Sequence, residues 1–195
     1  MQPEKVIETF RESGALLHGH FVLSSGLHSG AYLQCAIALQ MPVVAAAFGA
    51  AIAEQFAGLR IETVASPAIG GLVIGYEVAR HLSARFIWTE REAGRMTLRR
   101  GFSIQPGERV LVVEDVITTG GSTRETIAAL RERGAEIVAA ASIVDRSGGT
   151  ADVGVTRVSL ATLDVTAVSA ADCEACKRGD PATKPGSRRK VGSGQ

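Results

Sequence analysis

At 195 residues, 46% hydrophobic and 21% charged, the chain suits one domain with a full core. Its net charge of +1 gives no global attraction to nucleic acid or to an acidic polymer. Three cysteines, Cys35, Cys173 and Cys176, are too few for a disulfide-stapled scaffold and point to a reducing cytoplasm.

The opening residues Met1-Gln-Pro-Glu-Lys5 lack the basic, apolar and small-residue succession of a signal peptide. Residues 4–13 predict a helix: Val6, Ile7 and Phe10 share a face, Pro3 lies near the start and Gly14 can stop it. Gly19, Gly26 and Gly30 break residues 15–34 into short apolar pieces, which reads as an irregular hairpin. Residues 29–53 carry no charge, but Gln34, Gln40 and Pro42 interrupt them. The apolar remainder, 43–53, falls short of the ~20 residues a membrane span needs. A buried Ala-rich helix over 41–57 is expected there, and no membrane.

Strand and helix then alternate. Strands are expected at 62–65, 85–88, 109–114 and 137–144, and helices at 71–82 and 122–133. Each strand is a short continuous apolar run, as in a parallel sheet covered on both faces. The alternation defines an α/β doubly wound class with a central, mostly parallel sheet flanked by helices. Residues 89–101 interrupt it with Arg91, Arg95, Arg99 and Arg100 and read as an exposed loop or mobile hairpin. Residues 1–176 read as a single domain, and 177–195 as a basic, loosely ordered tail.

The chemistry concentrates in Val110-Leu-Val-Val-Glu-Asp-Val-Ile-Thr-Thr-Gly-Gly-Ser-Thr-Arg124. A buried strand runs into Glu114 and Asp115, then Val116 and Ile117, then a loop of small residues opening a helix. Ligands of parallel sheets bind beyond the carboxyl ends of the strands. A helix N-terminus there attracts an anion, Gly120 and Gly121 admit close approach, and Thr118, Thr119, Ser122 and Thr123 add hydroxyls. Carboxylates do not hold phosphate; they accept from sugar hydroxyls or act through a divalent cation. Both parts side by side suit a ribose carrying a 5-phosphate. A P-loop is excluded, because no Gly-Lys-Ser/Thr follows the glycines. A dinucleotide fingerprint is excluded because G-x-G-x-x-G is absent at this turn.

This stretch resembles the ribose-phosphate signature of type I phosphoribosyltransferases. The resemblance implies binding of 5-phosphoribosyl 1-diphosphate through Glu114, Asp115, Val116, Ile117, Thr118, Thr119, Gly120, Gly121 and Ser122, with Glu114 and Asp115 as catalytic acids. Magnesium is implied, bound mainly through that substrate and not by direct protein ligands. Five further segments are similar to orotate phosphoribosyltransferases. Gly14-Ala-Leu-Leu-His-Gly-His-Phe-Val-Leu-Ser-Ser-Gly-Leu-His-Ser29 resembles their N-terminal hairpin, and Ser66-Pro-Ala-Ile-Gly-Gly71 their diphosphate loop, giving Ala68, Ile69, Gly70 and Gly71. Val144-Asp-Arg-Ser-Gly-Gly149 resembles the strand end carrying an orotate-binding arginine, here Arg146, with Thr118 as a second orotate contact. Thr97-Leu-Arg-Arg-Gly101 and the stretch from Cys173 to Ser187 resemble one bacterial branch.

The resemblance also implies a small hood, from about 1–40 plus a C-terminal part. It implies a mobile loop 89–101 shared between the sites of a homodimer, with Arg91 on the diphosphate. The chain departs from the family pattern where Ser24 and Gly70 stand in place of lysines, and where residues 89–101 carry only arginines as cations. Two alternatives keep the ribose-phosphate site: transfer to a purine or other base, and a non-catalytic regulatory relative. Cys173-x-x-Cys176 supplies two ligands where zinc takes four, and no second cysteine pair exists, so a reversible disulfide or a plain family residue is expected rather than zinc. His18, His20 and His28 read as polar contacts of the hairpin.

Overall fold

The computed structural model describes residues 1–23, 26–163 and 167–184, and the chain divides into two compact units. The larger comprises residues 1–15 and 35–164, the smaller 16–34 and 165–195.

The larger unit is built on a six-stranded sheet of order β5-β4-β3-β6-β7-β8. Its strands are β3 (Thr63–Pro67), β4 (Arg85–Glu92), β5 (Arg95–Leu98), β6 (Arg109–Ile117), β7 (Glu136–Asp145) and β8 (Arg157–Thr162). All neighbours pair in parallel except β4 and β5, which form an antiparallel hairpin. The helices are α1 (Pro3–Glu12), α2 (Cys35–Leu39), α3 (Pro42–Glu54), α4 (Gly71–Leu82) and α5 (Gly121–Arg131). Pro3 and Pro42 each open a helix, where the missing N–H costs no hydrogen bond.

Strand periodicity sorts the core. Val110 and Val112 of β6 pack with Ala65, Ile87, Ala140, Ile127 and Leu130 on the face that α5 covers. On the α4 side a side chain at Gly71 would sit 2.9 Å from the Val113 carbonyl oxygen. One at Gly75 would sit 2.1 Å from Ser66 Oγ. Only glycine lets α4 come this close to β3 and β6.

Most expected elements are present with shifted ends. The helix over 71–82 is reproduced, β6 runs three residues past the expected 109–114, and α3 stops at Glu54. Residues 89–101 take the hairpin form. Thr89, Met96 and Leu98 are buried in it, and Thr89 Oγ1 lies 2.9 Å from Thr126 Oγ1 of α5. No helix among the described residues is long and apolar enough to cross a membrane.

The smaller unit is a three-stranded sheet, β1 (Leu16–Val22), β2 (His28–Leu33) and β9 (Ala167–Val168), with the short helix α6 (Glu174–Lys177). The β1–β2 pairing bears out the expected hairpin. Thr183 N donates to the His20 carbonyl at 2.8 Å, and Val22 N to the Thr183 carbonyl at 2.9 Å. One expectation is corrected here. Cys173 and Cys176 are not short of partner ligands, because the strands bring His20 and His28 to them. The rest of the expected tail, 185–195, and Ser24 of the hairpin tip lie outside the described residues.

Candidate active site

The sheet order places β3 and β6 side by side while their connections leave in opposite directions, β3 to β4 and β6 to β7. That is a topological switch point, and the loops after both strands open onto the crevice it makes. These loops are 68–70 and 118–120, the two that the sequence marks for diphosphate and for ribose phosphate.

They meet at Asp115. A side chain built at Gly70 would lie 2.6 Å from Asp115 Oδ1, so the loop backbone rests directly against this carboxylate. Ile69 projects outward, 83% exposed.

The cradle after β6 follows from local geometry. Gly120 takes φ +73°, a left-handed conformation that favours glycine, and turns the chain into α5. A side chain there would come within 2.8 Å of Val153 Cγ1. Arg124 N donates to the Gly120 carbonyl at 2.9 Å, starting the helix. The earlier first-turn N–H groups have no intrahelical acceptor and face the crevice end of the strand. Arg124 Nη1 donates to the carbonyls of Thr119 (2.9 Å) and Asp152 (2.6 Å) and so pins the loop from outside. Thr118 and Thr119 remain exposed.

The two acids differ in support. Glu114 accepts from the Thr123 hydroxyl, tying β6 to the first turn of α5. Burial, with a smaller push from the Asp115 charge, raises the Glu114 carboxyl to about 7 against the lowering effect of Thr123. Burial also raises Asp115, partly offset by the backbone N–H groups of Val116 and Asp115. Neither acid is ion-paired among the described residues.

Arg146 stands at the end of β7, where its N–H donates to the Ile117 carbonyl at 2.8 Å. Its backbone is thereby fixed one residue from Thr118. Asp145 holds this turn. Its carboxylate accepts from Ser147 N (2.7 Å), Ser147 Oγ (2.6 Å), Gly149 N (3.0 Å) and Arg157 Nη1 (2.7 Å). Burial alone would raise its pKa, but these donors bring it below the ordinary carboxylate value. Burial, then the charge of Asp115, drives the Cys35 thiol well above its usual value, while Arg146 opposes them. Cys35 is thus an inert thiol within the field of both residues.

Arg91 lies in β4, with Nη1 bonded to the Gly94 carbonyl and Nη2 2.7 Å from Glu125 of α5. Arg95, Arg99 and Arg100 are likewise paired, with Glu132, Glu92 and Glu90. The sequence marks Glu114, Asp115, the glycine loop and Arg146, and the fold gathers all of them around the β3–β6 crevice. Sequence reasoning missed the supports: Arg124, Arg157 and Cys35. No motif marks them, because their roles arise from contacts between distant elements.

The profile of the phosphoribosyl transferase domain matches residues 41–173. The chain is 51% identical to the orotate phosphoribosyltransferase of Pelotomaculum thermopropionicum over 97% of its length and all of that relative's. It is 50% identical to the orotate phosphoribosyltransferase of Thermotoga maritima over 93% of its length and 97% of that relative's. The crystal structure of the orotate phosphoribosyltransferase from Aeropyrum pernix superposes with a TM-score of 0.66. That match has 31% identity and covers 81% of this chain and 93% of that one. The chain belongs to the phosphoribosyl transferase family, and within that family to the orotate phosphoribosyltransferases.

Proposed function

We propose that the chain transfers the ribose-5-phosphate group of 5-phosphoribosyl 1-diphosphate to orotate, releasing diphosphate and forming orotidine 5'-phosphate. The observation that carries this reading is the convergence at the switch point: an anion cradle at 118–122, two acids beside it without an ion-pair partner among the described residues, and Arg146 anchored to Ile117.

The residues divide the work as follows. The N–H groups and hydroxyls of residues 118–122 take the 5-phosphate, and Glu114 and Asp115 accept from the ribose diol. The loop Ala68-Ile69-Gly70-Gly71 takes the diphosphate end. Arg146 forms paired hydrogen bonds with the orotate carboxylate, a geometry that guanidinium suits. Bond breaking at the anomeric carbon builds oxocarbenium character, as in glycoside chemistry. Holding both reactants in line is then the main contribution of the scaffold.

Magnesium is the proposed cofactor. The residues present fit an ion carried by the substrate: Glu114 and Asp115 have no cation partner among the described residues, and their carboxylates would favour a divalent charge held on the ligand they bind. Bound to the diphosphate, the ion would supply charge neutralisation of the leaving group. Arg91 is the proposed protein cation for the same group.

A homodimer with residues 89–101 shared between sites is part of the proposal. Val73 and Tyr76, one turn apart on α4, are 45% and 57% exposed, and such apolar exposure suits a second copy. Sedimentation of the chain checks it. The activity itself is tested by mixing protein, orotate, 5-phosphoribosyl 1-diphosphate and magnesium and following orotate absorbance. Loss of absorbance with orotate, and no turnover of adenine, guanine, hypoxanthine or uracil, supports the reading. Turnover of a purine instead would replace it.

A further inference from the structure

Four soft or borderline metal ligands meet in the smaller unit. His20 of β1, His28 of β2, and Cys173 and Cys176 at the start and within α6 each offer one ligand atom, all within 4.8 Å of one another. Cys176 Sγ lies 3.3 Å from His28 Nδ1 and 3.5 Å from His20 Nε2, and Cys173 Sγ lies 3.5 Å from His20 Nε2.

These separations have a metric meaning. With Zn–S about 2.3 Å and Zn–N about 2.0–2.1 Å, a tetrahedron has S···N edges of about 3.5 Å and an N···N edge of about 3.3 Å. Three of the four sulfur–nitrogen edges, those of Cys176 to both rings and of Cys173 to His20, fall near that value. The His20 Nε2···His28 Nδ1 distance of 2.7 Å is shorter than the N···N edge. An ion entering the centre would open it by roughly 0.6 Å, a small rotation for rings whose centroids are 4.9 Å apart.

The surroundings suit a metal in a second way. His20 Nδ1 lies 2.9 Å from the Asp180 carbonyl, an acceptor only. That contact fixes the proton on Nδ1 and leaves the Nε2 lone pair aimed at both sulfurs and at His28. A backbone carbonyl behind a ligating histidine is the usual orienting partner in metal sites. Cys173 is 6% exposed and His28 9%, so the group is shielded from exchange. Both cysteines are free thiols.

We propose that His20, His28, Cys173 and Cys176 form a structural site for a tetrahedral divalent ion, zinc, which clasps the β1–β2 hairpin to the segment around α6. Two neutral imidazoles and two thiolates leave the complex uncharged. Each thiol gives its proton to solvent on binding, so about two protons are released per ion. All four positions are filled by protein, which makes the site structural, with no open position for chemistry. All four ligands belong to the smaller unit, and the site does not depend on the proposed reaction.

The test uses the whole chain, purified under reductant without chelator or histidine tag. Elemental analysis should find one zinc per chain. Titrating the thiols with an organomercurial should release that zinc in step with two cysteines. Cobalt exchange should give the d–d bands of a tetrahedral ion and a thiolate-to-metal charge-transfer band. Cys176→Ser and His28→Gln should each lose the stoichiometric ion. Three results would overturn the site: protein that neither carries zinc nor takes up cobalt, ion retained by both variants, or a Cys173–Cys176 disulfide persisting under reductant. The organomercurial and cobalt arms need no variant, so a folding failure in a mutant leaves the test intact.

Discussion

The guanidinium of Arg157 meets Asp145 Oδ2 at 2.7 Å, directly under the turn that carries Arg146. Both side chains are nearly buried, 14% and 3% exposed, so this pair is neither hydrated nor screened. Removing Arg157 strands a buried carboxylate and costs roughly 3–5 kcal/mol. Arg157→Ala should therefore lower Tm and also raise the orotate KM several-fold more than the 5-phosphoribosyl 1-diphosphate KM. Steady-state kinetics on both substrates separates these effects. An equal rise in the two constants would assign Arg157 to general stability alone.

Glu114 carries a pH signature. Its carboxyl is raised from 4.5 to about 7 in the fold, so the folded chain holds a proton that the unfolded chain releases. The associated stability is fully present below about pH 4.5 and is lost as pH climbs to about 7, by at most about 3 kcal/mol. Denaturant titrations across this window should show the decline, and Glu114→Gln should flatten it. Sugar binding wants the ionised acid, so wild-type affinity for the phosphoribosyl substrate should improve through pH 7 more than that of Glu114→Gln. Parallel pH profiles for the two proteins would refute the assignment.

Gly120→Ala puts a side chain on a left-handed backbone and within 2.8 Å of Val153 Cγ1. The backbone part costs about 1–2 kcal/mol. The cradle must shift, so the KM for the phosphoribosyl substrate should rise about tenfold or more, a loss of roughly 1.4 kcal/mol of binding. Adding Val153→Ala should recover the steric part and leave the backbone part. Full recovery in the double variant would show that the φ value is immaterial.

The Arg91–Glu125 pair is half-exposed on both sides, so it contributes under about 1 kcal/mol and is easily broken. If Arg91 serves the departing diphosphate, Arg91→Ala should lower kcat/KM for the phosphoribosyl substrate strongly. Glu125→Gln should leave it unchanged or raise it, since it removes only a competitor for the guanidinium. Unchanged kinetics in Arg91→Ala would pass the role to another arginine of residues 89–101.

Legibility in the sequence tracked locality. The Val110–Val113 run, the acids behind it and the glycines after them all lie within one strand–loop–helix unit, and their placement follows from neighbours in sequence. The α4 helix was readable to both ends because Gly71 and Ala84-Arg85 punctuate it. Strand β8 was not, because Arg-Val-Ser-Leu-Ala-Thr is short, only half apolar, and follows β7 without an intervening helix. Arg157 was lost with it. The β5 strand was hidden by the arginines on either side of it and by its own Arg95, which ion-pairs with Glu132 while Met96 and Leu98 turn in. The histidine–cysteine group defeated spacing rules altogether. His20 and Cys173 stand 153 residues apart, and only the return of the chain to β1 unites them.

That return sets the order of events during synthesis. Val22 and His20 find their backbone partner in Thr183, made long after them. Most of the larger unit can condense while the ribosome is still at work, since its strands and helices follow one another closely. The early-made hairpin cannot complete its ladder until Thr183 has been made. A nascent chain truncated before β9 would carry the sheet of the larger unit and an orphaned β1–β2 ribbon, marginal by itself in water and a natural target for quality control.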